Sequence, residues 1–297
     1  MSRVDAVALW WRGRRGGGVV GVIVRLRVVA CAAVGCVALA LWLAGAGQAV
    51  ASGWAIQAVP VLPGPTGSSG QLSAVSCASR SSCTAVGIYT DSAGVTLPLA
   101  ERWTGVRWRI QQMPLPAGEQ GATLLGVACT SEIACTAVGS STGPGDVTAT
   151  LAERWNGSRW TVQRTSNPVR GSSPSLSGVS CTSRTACIAV GAAGLAERWN
   201  GKRWMIRRAA SPAGATNISL SGVWCVSSGD CTAVGTYTDR AGTQVALAES
   251  FDGTRWRIHN APTAAGAKST ALVGVSCTSR NACTTVGSLT SSALASS

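Results

Sequence analysis

The chain is predicted to be all-β, assembled from five copies of one short unit. Three observations carry this prediction. Cysteines occur in pairs at 77/83, 129/135, 181/187, 225/231 and 277/283, with five residues between partners each time. A Leu-Ala-Glu-Arg-Trp segment, or in one case Leu247-Ala248-Glu249-Ser250-Phe251, follows each of the first four pairs. A glycine turn closes each segment, at Thr104-Gly105, Asn156-Gly157, Asn200-Gly201 and Asp252-Gly253. Composition agrees: 46% apolar and 12% charged residues exclude a disordered chain, and 36 glycines with a single phenylalanine do not suit an ordinary helical domain.

The first element is a targeting segment, residues 1–51. Arg12, Arg14, Arg15, Arg25 and Arg27 precede an uncharged stretch from Val28 to Ala51 that ends in Ala49-Val50-Ala51. This is the layout of a signal helix with small residues at its cleavage site, and cleavage is expected after Ala51. The alternative is an uncleaved membrane anchor, because the stretch is long enough to span a bilayer with its positive flank inside. Cys31 and Cys36 lie in this segment, outside the repeat.

Residues 52–297 form the repeat domain. The cysteine period is 52, 52, 44 and 52 residues, and the units run approximately over 72–111, 124–163, 176–207, 220–259 and 272–295, with 54–57 in addition. Each unit divides into four segments of strand character. The first ends at the first cysteine and the second starts at the second cysteine. The third is the Leu-Ala-Glu-Arg-Trp run and the fourth is an Arg-Trp-x-Ile/Val run. Glycine in the turn permits positive φ, so the last two are expected to pair as an antiparallel hairpin. Leu176 and Val179 lie three apart, which at a strand period of two sends them to opposite faces, so both faces of the sheet need cover.

Four antiparallel strands in so short a unit is the size of a propeller blade. Trp54-Ala55-Ile56-Gln57 repeats Trp108-Arg109-Ile110-Gln111, so the domain begins on an isolated fourth strand. The fifth unit holds two strands and a trace of a third at Ala293-Leu294-Ala295. The expected fold is therefore a five-bladed β-propeller of four-stranded antiparallel blades, closed by the N-terminal strand, which leaves no open edge.

The pattern GVSCxSxxxCxAVG followed by LAERWxGxxW resembles, over residues 54 to 290, the tandem repeats of uncharacterised secreted proteins of actinobacteria. That resemblance implies a propeller-like fold and no particular activity. Ser250-Phe251-Asp252-Gly253-Thr254-Arg255-Trp256 is distantly similar to the Asp-box hairpin of sialidase-type propellers, with one residue missing between Asp and Gly; that box is a folding element.

The repeated chemistry is expected to be structural. On an exported chain, Cys77, Cys83, Cys129, Cys135, Cys181, Cys187, Cys225, Cys231, Cys277 and Cys283 read as five disulfides, each clipping the first strand of a unit to the second. Zinc is the alternative, but its usual ligand spacing is tighter, and the chain has one histidine, His259. The pairs 103/108, 155/160 and 199/204 of tryptophan, with Phe251/Trp256, either offer an aromatic platform to sugars or pack across the hairpin; recurrence favours packing. Glu101, Glu153, Glu197 and Glu249 recur at one position. A glycosidase needs two carboxylates in unlike environments, so four copies are expected to pair with Arg102, Arg107 and their equivalents.

Residues that break the repeat are the candidate binding residues: Tyr89 and Asp91 in the second-to-third-strand loop of unit one, Asp146 in that of unit two, Tyr237 and Asp239 in that of unit four, and the singleton Trp224. Loops of unequal length on one face can shape a ligand pocket. No catalytic residue, metal site or cofactor is assigned.

Without residues 1–51, which hold six arginines and Asp5, the chain carries 19 basic and 11 acidic residues, a charge that draws a protein to anionic polymers. The basic residues are scattered rather than clustered, so no nucleic acid is expected. The expected function is a secreted or cell-envelope binding module, monomeric, recognising a polysaccharide or an envelope protein, with membrane contact only through an uncleaved N-terminal segment. A propeller-type glycoside hydrolase and a purely structural envelope protein are the alternatives.

Overall fold

The computed structural model describes residues 7–12, 57, 59–60, 70–167, 173–259, 261 and 267–291. All regular structure among them is β apart from one short 3-10 turn at Pro144–Asp146. After strand β1 (Val7–Arg12), the chain forms β2 (Gly70–Ser79), β3 (Ser82–Thr90), β4 (Thr96–Trp103) and β5 (Trp108–Gln111). The second set is β6 (Gly121–Ser131), β7 (Ala134–Thr142), β8 (Thr148–Trp155) and β9 (Trp160–Gln163). The third is β10 (Leu176–Ser183), β11 (Ala186–Gly191), β12 (Ala196–Trp199) and β13 (Trp204–Ile206). The fourth is β14 (Thr216–Ser227), β15 (Asp230–Thr238), β16 (Gln244–Phe251) and β17 (Trp256–His259), and β18 (Ala267–Ser279) and β19 (Ala282–Ser291) end the series. Each of the first four sets is one antiparallel sheet with its strands in sequence order, and the fifth sheet runs β1-β19-β18.

Within each sheet the third and fourth strands pair through the expected hairpin, with Trp103 opposite Trp108, Trp155 opposite Trp160, Trp199 opposite Trp204 and Phe251 opposite Trp256. The turn glycines hold φ from 86° to 100°, a region closed to most side chains.

The first strand is where the structure departs from the expected alternation. A bulge lies between Leu176 and Gly178, and likewise between Leu72 and Ala74, Leu124 and Gly126, Leu220 and Gly222, and Leu272 and Gly274. Leu176 stands opposite Gly191 and Val179 opposite Ala189. Those partners are two residues apart, so Leu176 and Val179 share a face. The opposite-face expectation fails because the bulge absorbs one residue. It also accounts for the glycine after the second-strand valine of each unit: a Cβ on Gly139 would stand 1.8 Å from the Thr123 carbonyl oxygen, and Gly87, Gly191, Gly235 and Gly287 are equally closed.

Successive sheets stack face to face. Each junction buries a valine of one sheet against the leucine and valine of the next: Val86 with Leu124 and Val127, Val138 with Leu176 and Val179, Val190 with Leu220 and Val223, Val234 with Leu272 and Val275. Polar contacts repeat beside them. Ser76 Oγ accepts the Cys129 backbone N–H at 2.9 Å and Ser180 Oγ that of Cys225 at 3.0 Å. Arg102 lies over the Trp155 ring and Arg154 over the Trp199 ring, at 5.5 and 5.1 Å.

The two ends of the stack expose the surfaces that every junction buries. Leu72 and Val75 of the first sheet are 38% and 61% exposed, and Val286 of the fifth, the counterpart of Val86, is 47% exposed. In the fifth sheet β1 lies third, with Trp11 opposite Cys283, the register that Trp103 holds to Cys83. This strand comes from the segment expected to direct export. Trp54 to Ile56 and Ala293 to Ala295 lie outside the described residues, as does the rest of residues 1–51. Among the described residues no helix is long and apolar enough to cross a membrane.

Candidate functional site

An antiparallel four-stranded sheet has two ends, and this topology sorts the loops between them. The first-to-second and third-to-fourth turns share one end: Gly105 lies against Ser81, Gly157 against Ile133, Gly201 against Thr185 and Gly253 against Gly229. These turns also meet across sheets. Ser79 Oγ donates to Glu132 Oε1 at 3.0 Å, Arg154 Nη2 donates to the Arg184 carbonyl at 2.6 Å, and Arg280 pairs with Asp230 at 3.1 Å. The second-to-third loops and the linkers between sheets lie at the other end.

Five of the six candidate binding residues are at that loop end, and Trp224 is not. Tyr89 and Tyr237 end β3 and β15, each half-buried, and Tyr237 packs on the core of the junction between third and fourth sheets. Asp91 and Asp239 have a local role. Asp91 Oδ1 accepts the N–H groups of Ala93 and Val95, and Asp239 Oδ1 those of Ala241 and Thr243, at 2.8 to 2.9 Å. Each carboxylate thereby holds its own loop in shape. Asp146 is exposed, in a left-handed conformation at φ 57°. All four loops close through one backbone bond of the same span, from the N–H of Asp91, Gly143, Gly191 or Asp239 to a carbonyl four residues on. Trp224, 42% exposed, sits beside Cys225 at the turn end.

All five cysteine pairs form disulfides, 77–83, 129–135, 181–187, 225–231 and 277–283. The aromatic pairs sit 5.1 to 5.9 Å apart between ring centroids, tilted by 38° to 50°. This is packing across a hairpin.

The recurring glutamates are buried and, among the described residues, make no ion pair. The expected pairing with arginine fails because Glu101 and Arg102 are consecutive on a strand and point to opposite faces. The arginine reaches the tryptophan of the following sheet, while the glutamate faces the preceding one. There Glu249 Oε2 accepts the Ala210 N–H at 2.8 Å, and Glu197 accepts the Ser166 N–H and the Thr150 hydroxyl. Both oxygens of Glu153 are without a hydrogen-bond partner among the described residues. Burial pushes Glu153 up to about 8 and Glu197 and Glu249 to about 7, and raises Glu101 as well. By contrast the Thr254 hydroxyl, with the Arg255 and Thr254 N–H groups, holds Asp252 far below the carboxylate range.

A groove of about 480 Å³ opens between the first and second sheets, lined by Gln111, Gln112, Trp155, Ser158, Arg159 and Trp160. Gln111 Oε1 accepts the Trp160 indole N–H at 2.8 Å, as Gln57 Oε1 accepts that of Trp108 at 3.0 Å. None of the four recurring glutamates lines it. The site residues missed by pattern reading are these glutamines and Arg159. Their signal was position: Gln57, Gln111 and Gln163 recur, as do the basic residues of the turns. Ser250 Oγ and His259 Nε2 lie 2.6 Å apart on β16 and β17. Among the described residues no three His, Cys, Asp or Glu side chains are placed to hold a metal ion.

Neither a protein-family model nor a curated protein sequence matches the chain. Three solved structures to which it is similar are YCF48 bound to D1 peptide, the C-terminal WD40 domain of Sif2, and U3-55K. Identities are 10%, 11% and 8%, covering 80%, 74% and 73% of this chain and 100%, 70% and 95% of those chains. With TM-scores of 0.32, 0.33 and 0.33, these likenesses carry no argument about function.

Proposed function

We propose that the protein is an exported five-bladed β-propeller, closed by its N-terminal strand, that acts as a non-catalytic binding module for a polysaccharide or an envelope protein. Closure is supported by the two exposed ends of the stack. Val286 on one and Leu72 with Val75 on the other are the same partners that bury each other at all four junctions. The bond from Trp108 to Gln57 supports the latch, since it repeats the bond from Trp160 to Gln111 at the end of the preceding fourth strand. It sets Gln57 where a sheet before the first would end, and in a ring that sheet is the fifth.

One observation carries the binding reading: the recurring cysteines, aromatic pairs and glutamates are used up in the scaffold, whereas the loop end differs from sheet to sheet. The second-to-third loops have one span but differ in make-up and reach: Asp-anchored in the first and fourth sheets, a 3-10 turn in the second, and Ala192-Ala193-Gly194 in the third, where the unequal loops expected from the sequence prove to be shorter strands, β11 and β12. A hydrolase would need two unlike carboxylates on a common groove, and the recurring glutamates are buried copies. The arginine-flanked uncharged stretch from Val28 to Ala51 supports a site of action at the cell surface or in the medium, after cleavage at Ala51 or held by the N-terminal segment.

A glycan array and an envelope pull-down with the exported protein test this. Trimming the β3–β4 and β15–β16 hairpins to the length of β11–β12, so that each ends in Ala-Ala-Gly in place of its Asp-anchored loop, should abolish capture of the loop-end ligand. Unchanged capture, or turnover of a glycoside abolished by one acidic substitution, would overturn the reading. Deleting residues 52–59 should lower the melting temperature, and an unchanged value would defeat closure. The intact mass of the exported protein reports whether β1 remains with it.

A further inference from the structure

Cations spaced about one repeat apart in sequence come together at the turn end. Arg80, Arg184 and Arg280 lie in first-to-second turns, and Arg107, Arg159, Lys202, Arg203 and Arg255 in third-to-fourth turns; all eight are exposed. The carboxylates of that end are Glu132, Asp230 and Asp252. Asp230 is taken by Arg280, and Asp252 by Arg255 and Arg257. Arg80, Arg107, Arg159, Arg184, Lys202 and Arg203 have no ion pair among the described residues. The loop end is mixed, with Arg164, Arg207, Arg208, Arg240 and Lys268 among Asp91, Glu119, Asp146 and Asp239. The scatter of basic residues, taken above as a sign against nucleic acid, is a property of the sequence only, because an antiparallel repeat sends equivalent turns to one face.

The groove between the first and second sheets opens beside this face through Ser158 and Arg159. It offers amides from Gln111 and Gln112, a hydroxyl, one guanidinium and two indoles. Gln111 uses its oxygen on Trp160, which leaves its NH₂ to donate. Arg102 covers the Trp155 ring and Trp160 is buried, so neither presents an open face for a nucleobase to stack on. Hydroxyls and a carboxylate are what this lining can bind, and the volume suits a short run of sugar.

We propose that the turn end binds an acidic polysaccharide, its charged units spread over the six unpaired turn cations and a sugar seated in the groove beside Arg159. This surface is separate from the loop end and holds whether or not the loop-end ligand is found. Multiple weak ion pairs at an exposed face make such binding steeply dependent on salt.

The test compares two triple variants of the exported protein, Arg159→Gln/Lys202→Gln/Arg203→Gln at the turn end and Arg164→Gln/Arg208→Gln/Arg240→Gln at the loop end. The probes are polygalacturonate, heparin, neutral dextran and a DNA duplex. All six positions are exposed, and matched melting temperatures would show that both variants fold. The turn-end variant should bind both acidic polysaccharides at least about tenfold more weakly at low salt, and the loop-end variant within about twofold of the parent. Ser158→Trp, which fills the groove, should weaken polysaccharide binding further than its unchanged charge allows. Equal losses from both triples, tighter binding of DNA than of either polysaccharide, no binding of either polysaccharide, or no effect of Ser158→Trp would overturn the proposal.

Discussion

Glu249 accepts the backbone N–H of Ala210 at 2.8 Å, tying the third strand of the fourth sheet to the linker that leaves the third. Ala210 stands six residues after Trp204, and Ser166 stands six after Trp160, where its N–H serves Glu197 at 3.2 Å. Six residues after Trp108 the chain has Pro114, which has no N–H to give. Glu153, facing that linker, is the glutamate left with both oxygens unpartnered, and its carboxyl is pushed highest, to about 8.

Stability is therefore expected to fall as pH rises. The folded chain holds protons on Glu153, Glu197 and Glu249 up to about 8, 7 and 7, whereas the unfolded chain loses them near the ordinary value of 4.5. Between these limits the folded state binds more protons, so stability declines with pH and levels off above about 8. Urea midpoints at pH about 5 and about 8 should show the decline, and Glu153→Gln, a neutral isostere, should flatten it. A midpoint rising over that range in the parent would contradict the assignment.

Pro114→Ala should supply the missing donor. An amide bond to a buried carboxylate is worth about 2 kcal/mol, and the lost rigidity of proline costs up to about 1 kcal/mol, so a net gain of about 1 kcal/mol is expected near pH 8. The gain should shrink in the Glu153→Gln background, whose neutral amide oxygen still accepts but makes the weaker bond. A double-mutant cycle by chemical denaturation measures it, and additivity of the two changes would mean that the N–H does not reach Glu153.

Removing one disulfide, with Cys129→Ser and Cys135→Ser together, should cost roughly 2 kcal/mol, since the closed loop is short and constrains the unfolded chain little. Urea unfolding of the folded variant reads the loss. Reaction with a thiol reagent before and after reduction should find the ten repeat cysteines blocked only in the oxidised protein.

Gly139→Ala is expected to be far more damaging than its size implies. The new Cβ would meet the Thr123 carbonyl oxygen at 1.8 Å, so the bulge must open, at a cost of about 4 kcal/mol or more. Soluble yield and hydrogen exchange across β6 and β7 report it. Normal exchange protection in the variant would show that the bulge relocates without cost.

Arg154→Ala should lose the contact over Trp199 and the 2.6 Å bond to the Arg184 carbonyl, about 2 kcal/mol together. Arg154→Lys should recover the charge but not the planar stacking. Denaturation of the two variants separates these contributions: equal stability of the two would assign the loss to the guanidinium's stacking and hydrogen bond, and a Lys variant as stable as the parent would assign it to charge alone.

Much of the scaffold was legible because its signals are local. Cysteines six apart, Asn-Gly turns and the flanking tryptophans each act within one hairpin, so five copies announced five disulfides and four paired hairpins. Alternation misled at Leu176 and Val179, where a bulge seated on Gly191 shifts the register by one residue. Adjacency misled at Glu101 and Arg102, because neighbours on a strand face different sheets.

The sequence by itself determined the strands of the repeat, their turns and the disulfides, all of which depend on contacts within about two dozen residues. Only the tertiary structure decided which repeated residues meet: Arg154 with Trp199, Glu249 with Ala210, and the turn cations of separate units on one face. Those contacts link residues about 40 to 50 apart, whose nearness is created by the stacking of sheets and by the direction each side chain takes from its strand. The five-fold repeat thus specified the unit, and the packing of one unit on the next set the surfaces available for binding.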